Sequence, residues 1–172
     1  NLSMVCKEGT FTIAYDCHAK GVFGLGERYC SVNHLGKTLI NRVEQKFCEQ
    51  GERTYFPLPF YHASDGHGVF VDTANEVVFR FTEGNFQIEL PEDAKADIYF
   101  YYGSPKEILH QFIKQTGETV IPPIWSFGVW ASANRWNSQK AVEEQMALIK
   151  EHKYPVSVLV LEAWSDEATF YL

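Results

Sequence analysis

The densest group of chemistry-bearing side chains lies in Glu162-Ala163-Trp164-Ser165-Asp166-Glu167. Glu162 directly follows the apolar run Val156 to Leu161. If that run is a strand of an α/β barrel, its carboxylate sits at the C-terminal end, where barrel sites are built. A tryptophan beside a carboxylate at a pocket mouth suits a polyhydroxylated ring: the apolar face lies on the indole and the hydroxyls reach oxygen. Trp164 can equally pack beneath a loop. Asp166 and Glu167 are adjacent acids of the kind that open a helix, where the macrodipole favours them, and they are read that way rather than as a catalytic pair. In Ala133-Asn134-Arg135-Trp136-Asn137, which follows another apolar run, the arginine can order neighbouring carboxylates bidentately or flank a helix with its stem packed. Asn33 offers an amide that both donates and accepts, which suits a hydroxyl, but asparagine is also a common turn residue.

Other motifs carry less. Gly24-Leu25-Gly26 contains a G-x-G but lacks the third glycine and the strand-to-helix setting of a phosphate cradle, so a tight turn is expected. His18, His34, His62, His67, His110 and His152 show no metal-ligand spacing, and no metal or cofactor is expected. Cys6, Cys17, Cys30 and Cys48 form no C-x-x-C pair and read as buried free thiols, which fits a cytoplasmic setting. A formal net charge of −7 without a basic cluster argues against nucleic acid as a partner. No apolar run approaches the roughly 18 residues that span a bilayer, so no membrane partner is expected either.

The elements that must position these residues fall into two groups. Up to Tyr102, runs rich in β-branched and aromatic residues alternate with turn residues: Thr10 to Tyr15, Val69 to Asp72, Val77 to Phe81, Phe86 to Leu90 and Ile98 to Tyr102. An antiparallel β-sandwich over residues 1–103 is the natural architecture. Ser104-Pro105-Lys106-Glu107 then combines a capping hydroxyl, a proline at the first helical position and a glutamate three residues after the cap, which starts a helix. Ile108, Leu109, Phe112 and Ile113 share one stripe, and Gly117 is a stop. After Ile121-Pro122-Pro123, the apolar run Trp125 to Ala131, the helical spacing of Val142, Met146 and Ile149, and the run Val156 to Leu161 spell strand, helix, strand. That is a βαβ unit of a parallel sheet within residues 104–172. Two strands and one crossover helix cannot close a barrel, so a chain several times longer is expected.

The segments Phe23-Gly24-Leu25-Gly26-Glu27-Arg28, Asn33-His34-Leu35-Gly36-Lys37-Thr38, Phe56-Pro57-Leu58-Pro59-Phe60-Tyr61 and Gly68-Val69-Phe70-Val71-Asp72 resemble, in order and spacing, the N-terminal domain of glycoside hydrolase family 31. Tyr102-Gly103-Ser104-Pro105 and Ile121-Pro122-Pro123-Ile124-Trp125-Ser126-Phe127-Gly128 resemble that family's entry into its catalytic barrel. The resemblance implies a galactose mutarotase-like β-sandwich followed by an incomplete (β/α)8 TIM barrel. It also implies a retaining α-glycosidase of α-glucosidase type, acting on an oligosaccharide or α-glycoside. Its aspartate nucleophile and aspartate acid/base belong to later barrel strands, and no position here matches either motif. The resemblance further implies substrate-binding parts for Glu162, where the family usually has aspartate, and for Asn33, on a loop reaching over the barrel mouth. Arg135 and Trp136 match its arginine-aromatic pattern at that mouth. An α-glucosyltransferase can share all these residues. A non-catalytic carbohydrate-binding sandwich, or a sandwich serving as a homo-oligomer contact, are the readings from other classes.

Overall fold

The computed structural model describes residues 1–44, 46, 48–132, 136 and 138–161. Two compact units divide the chain, Asn1–Glu118 and Thr119–Leu172.

In the first unit, period-two alternation generates the strands. Along Val77–Thr82 the buried residues are Val77, Phe79 and Phe81, and along Gly84–Pro91 they are Phe86, Ile88 and Leu90. Each strand therefore turns one face inward. The strands in chain order are β1 (Leu2–Lys7), β2 (Thr10–Cys17), β3 (Val22–Gly24), β4 (Thr38–Asn41), β5 (Phe60–Ala63), β6 (His67–Asp72), β7 (Val77–Thr82), β8 (Gly84–Pro91) and β9 (Asp97–Tyr102). They form a five-stranded sheet of order β1-β2-β8-β7-β4 and a four-stranded sheet of order β3-β5-β6-β9, antiparallel throughout. Inner-face residues of both sheets, among them Tyr61, Val69, Phe79, Phe81, Phe86 and Ile88, make one buried cluster. The sandwich expected from the sequence is what forms.

Helix α1 (Pro105–Thr116) begins as its capping signature requires: Glu107 N–H donates to Ser104 Oγ at 3.4 Å, and Ser104 N–H donates to Glu107 Oε2 at 2.7 Å. Ile108 and Phe112 bury themselves on the outer face of the four-stranded sheet with Phe60, Phe70 and Tyr101. The Phe60 and Phe112 rings stack at 4.1 Å. Gly68 permits this, since a Cβ there would lie 2.5 Å from Ile108 Cγ2. The first compact unit includes α1 and runs to Glu118, because the apolar stripe of α1 is spent on the sandwich. Leu109, expected on that stripe, is 48% exposed.

In the second unit, a short 3-10 helix (Ile124–Phe127) precedes β10 (Val129–Ser132), α2 (Gln139–Glu151) and β11 (Val156–Val160). The expected strand from Trp125 therefore starts only at Val129. Pro122 and Pro123 hold φ near the value that leads into a tight turn, and Ser126 Oγ donates to Pro123 O at 2.6 Å, which completes it. The helix is capped by Ser138, whose Oγ accepts from Ala141 N–H at 3.3 Å. β10 and β11 pair in parallel, with Ser132 opposite Val160. The βαβ unit is as read from the sequence. No helix among the described residues is long and apolar enough to cross a membrane.

Candidate functional site

The loop running from β3 into Asn33 is fixed by backbone bonds to a neighbouring segment. Leu25 N–H donates to Phe60 O at 2.8 Å, Glu27 N–H to Phe56 O at 3.2 Å and Tyr29 N–H to Gly51 O at 3.1 Å. Gly26 has φ +82°, and a Cβ there would stand 2.0 Å from Phe56 O, so only glycine allows the two strands of chain to approach so closely. The Gly24-Leu25-Gly26 motif forms a bend with positive φ at all three residues rather than a closed tight turn.

Arg28, unremarked in the sequence apart from its motif, is the anchor of this loop. Its guanidinium donates to Leu25 O at 3.2 Å, Ile40 O at 3.0 Å, Asn41 Oδ1 at 2.7 Å and the Glu52 carbonyl. One planar fork thereby ties the loop to β4 and to the segment before Arg53. The loop walls a cleft of about 630 Å³ lined by Phe23, Glu27, Tyr29, Ser31, Val32 and His34, among others. Tyr29 and Val32 are 65% and 80% exposed, so apolar surface is available there. His34 is buried, and burial pushes its imidazole below the usual histidine range. Its Nε2–H donates to Gly24 O at 3.1 Å, which leaves Nδ1 as a buried acceptor.

Asn33 stands in this loop, and its carboxamide is engaged with backbone. Oδ1 accepts from Val22 N–H and Leu35 N–H, both at 3.0 Å, and Nδ2 donates to Lys20 O at 3.4 Å. These are the bonds of an asparagine that shapes a turn.

In the second unit, the parallel pairing sets the C-terminal ends of β10 and β11 side by side, at Ser132 and Val160. Arg135 and Trp136 follow the first strand in sequence; Glu162 and Trp164 follow the second. Trp136 is partly buried. Arg135, Glu162 and Trp164, with Asp166 and Glu167, lie outside the described residues.

The structure also assembles a group that no linear spacing announces. Cys17, at the end of β2, meets Asp65, in the turn between β5 and β6, and His67, at the start of β6, with the three potential ligand atoms within 4.8 Å of one another. All four cysteines are free, but only Cys17 is buried, so the expectation of buried thiols fails for Cys6, Cys30 and Cys48. Edge strand β1 exposes Cys6, and loops expose the other two.

Residues 13–79 match the family model for the glycosyl hydrolase 31 N-terminal galactose mutarotase-like domain, and residues 119–171 match that for the glycosyl hydrolases family 31 TIM-barrel domain. An isomaltosyltransferase from Sporosarcina globispora is 32% identical over 166 residues, covering 92% of this chain and 15% of the relative. A 1,3-alpha-isomaltosidase from Kribbella flavida is 34% identical over 152 residues, covering 84% of this chain and 21% of the relative. The solved structure of a cycloalternan-degrading enzyme from Trueperella pyogenes in complex with isomaltose superposes with a TM-score of 0.83 at 34% identity, over 94% of this chain and 25% of that one. The chain thus spans 15% and 21% of the length of these two curated relatives.

Proposed function

Because the chain belongs to glycoside hydrolase family 31, we propose that the whole protein is a retaining α-glycosidase that removes terminal α-linked glucosyl units from oligosaccharides. The observation that carries this reading is the succession, along one chain, of a mutarotase-like sandwich match and a barrel match. A parallel β10 and β11 pair whose C-terminal ends stand abreast supports it, since barrel sites are built at such ends. Two relatives carry isomaltosyl groups in their names, and this favours an α-glucosyl oligosaccharide with an isomaltose unit over an α-galactoside.

Within that reading, Glu162 accepts hydroxyls of the terminal sugar and Trp164 carries its apolar face. Arg135 and Trp136 order the rim around them. Asn33 shapes the loop beside the cleft and has a positioning part. Retention needs two carboxyls roughly 5–5.5 Å apart, one attacking the anomeric carbon while the other protonates the leaving oxygen. No residue of this chain is assigned to either role. The free thiols support a reducing, cytoplasmic compartment.

The test is early product analysis on the whole protein with isomaltose-terminated oligosaccharide and nitrophenyl α-glucoside, α-xyloside and α-galactoside. An α-glucosyl substrate should be preferred, with the α-anomer released first. A β-anomer first, or a preference for the galactoside, contradicts the proposal. The likeness to an isomaltosyltransferase favours a second reading in which a sugar hydroxyl, not water, takes the glycosyl group. Longer products that accumulate at low donor concentration when an acceptor sugar is added would identify that enzyme.

A further inference from the structure

We propose that Cys17, Asp65 and His67 form a binding site for a borderline-soft divalent cation of the zinc type, which joins the two sheets of the sandwich.

Three donors of different kinds converge here from both sheets. Cys17 ends β2 of the five-stranded sheet, His67 opens β6 of the four-stranded sheet, and Asp65 reaches between them from the turn. Asp65 Oδ2 accepts from Cys17 Sγ at 3.3 Å, and His67 Nδ1 and Asp65 Oδ1 lie 2.6 Å apart. Ligand atoms around a tetrahedral zinc ion stand roughly 3.3–3.6 Å from one another, given bonds of about 2.0–2.3 Å. Asp65 Oδ2 already has that spacing to the sulfur, while the imidazole faces Oδ1; the three ligand atoms lie within 4.8 Å of one another, so the widest pair closes on binding. The imidazole and carboxylate must open by roughly 0.7 Å on the same geometry.

Outer partners suit an ion as well. Ala19 N–H points at Cys17 Sγ at 3.5 Å, a bond that favours a thiolate. His67 Nε2 lies 3.1 Å from Tyr15 Oη, which is hydrogen-bonded in turn to Tyr61 Oη. A metal-bound imidazole needs this kind of partner on its other nitrogen. On binding, the Cys17 thiol proton leaves to solvent; the proton that His67 Nδ1 holds against Asp65 Oδ1 also leaves to solvent while Nε2 takes one up and donates it to Tyr15, so that the Nδ1 lone pair meets the cation. Thiolate with imidazole selects zinc over calcium or magnesium. Cys17 and His67 are buried, while the Asp65 side chain keeps 33% of its surface exposed at a cavity of about 360 Å³ lined also by Tyr15, Phe100 and Tyr102. That cavity is the entry path and gives the fourth coordination position to water.

The experiment uses the whole protein carrying Cys6→Ser, Cys30→Ser and Cys48→Ser, which removes these exposed thiols. Chelator-treated protein is titrated with Co2+ and then Zn2+. One equivalent of Co2+ should give a thiolate charge-transfer band and visible absorption of four-coordinate type, both abolished by Zn2+, and Zn2+ should raise Tm. Adding Cys17→Ser should abolish the band, and Tyr15→Phe should weaken Zn2+ binding by about tenfold or more. Absence of the band in the triple variant, or its persistence after Cys17→Ser, overturns the site. If Cys17→Ser does not fold, the triple variant alone decides, by one equivalent bound or none. Glycosidase activity of the whole protein plays no part in the readout, so failure here is distinct from failure of the enzymatic reading.

Discussion

Arg28 illustrates how a single side chain can set a loop. Its four acceptors lie on three separate stretches of chain, and three of them are backbone carbonyls. Removing the fork leaves partners without a donor in a half-buried setting, so Arg28→Ala should lower unfolding free energy by about 2–4 kcal/mol, read from urea midpoints. A change below about 0.5 kcal/mol would mean that water replaces the guanidinium freely. Cys17 gives a pH-dependent counterpart. Burial pushes its thiol up to about 11, helped by Asp65, against a lowering bond from Ala19 N–H. The folded chain therefore keeps a proton that the unfolded chain releases at the ordinary value of 9.0. The stabilisation is present in full below that value and is lost as pH rises through about 11. Urea midpoints should fall across this window, and less steeply in Cys17→Ala; equal slopes would contradict the shift. The sequence could not disclose Cys17, Asp65 and His67 as a group, because the packing of one sheet on the other brings together Cys17 and Asp65, which are 48 positions apart. Asn33 was legible as either a turn former or a hydroxyl partner, and only the geometry of its three bonds shows the first at work.

At the scale of elements, α1 is the clearest case of local sequence deciding structure. Ser104, Pro105 and Glu107 fix its start, and Gly117 N–H bonds Ile113 O at its end. Where the helix docks was not legible, since a stripe states that something is covered without saying what. Phe112 stacks on Phe60 and meets Phe70 edge-on, so Phe112→Ala should cost about 3–5 kcal/mol by denaturant unfolding. Leu109→Ala, one residue around the helix toward solvent, should stay within about 0.5 kcal/mol. Equal losses at both positions would contradict the assigned face. The longer strands β2, β6, β7, β8 and β9 could be read from their β-branched and aromatic content between turn residues. β3, β4 and β5, at three and four residues, are too short to show a period, and β1 is exposed along its whole length. The apolar run from Trp125 misled for a different reason: a proline pair converts its first half into a 3-10 turn without changing its hydrophobicity.

For the whole molecule, the two family matches and the parallel pairing of β10 with β11 converge on a mutarotase-like sandwich followed along the chain by the start of a family 31 barrel. Fold and family could be read because they rest on ordered blocks of motif spread over most of the chain. For the site the sequence offers candidates alone, since a binding residue is defined by what stands opposite it. The decisive position is Glu162, the acid that follows β11. In the whole protein, Glu162→Gln keeps the shape and removes the charge that strengthens hydrogen bonds to a sugar. On the best α-glucosyl substrate, kcat/KM should drop about 10- to 100-fold, matching a lost charged hydrogen bond of about 1.5–3 kcal/mol, with the far-UV spectrum unchanged. Unaltered kcat/KM in a folded Glu162→Gln enzyme would contradict a saccharide site at this strand end.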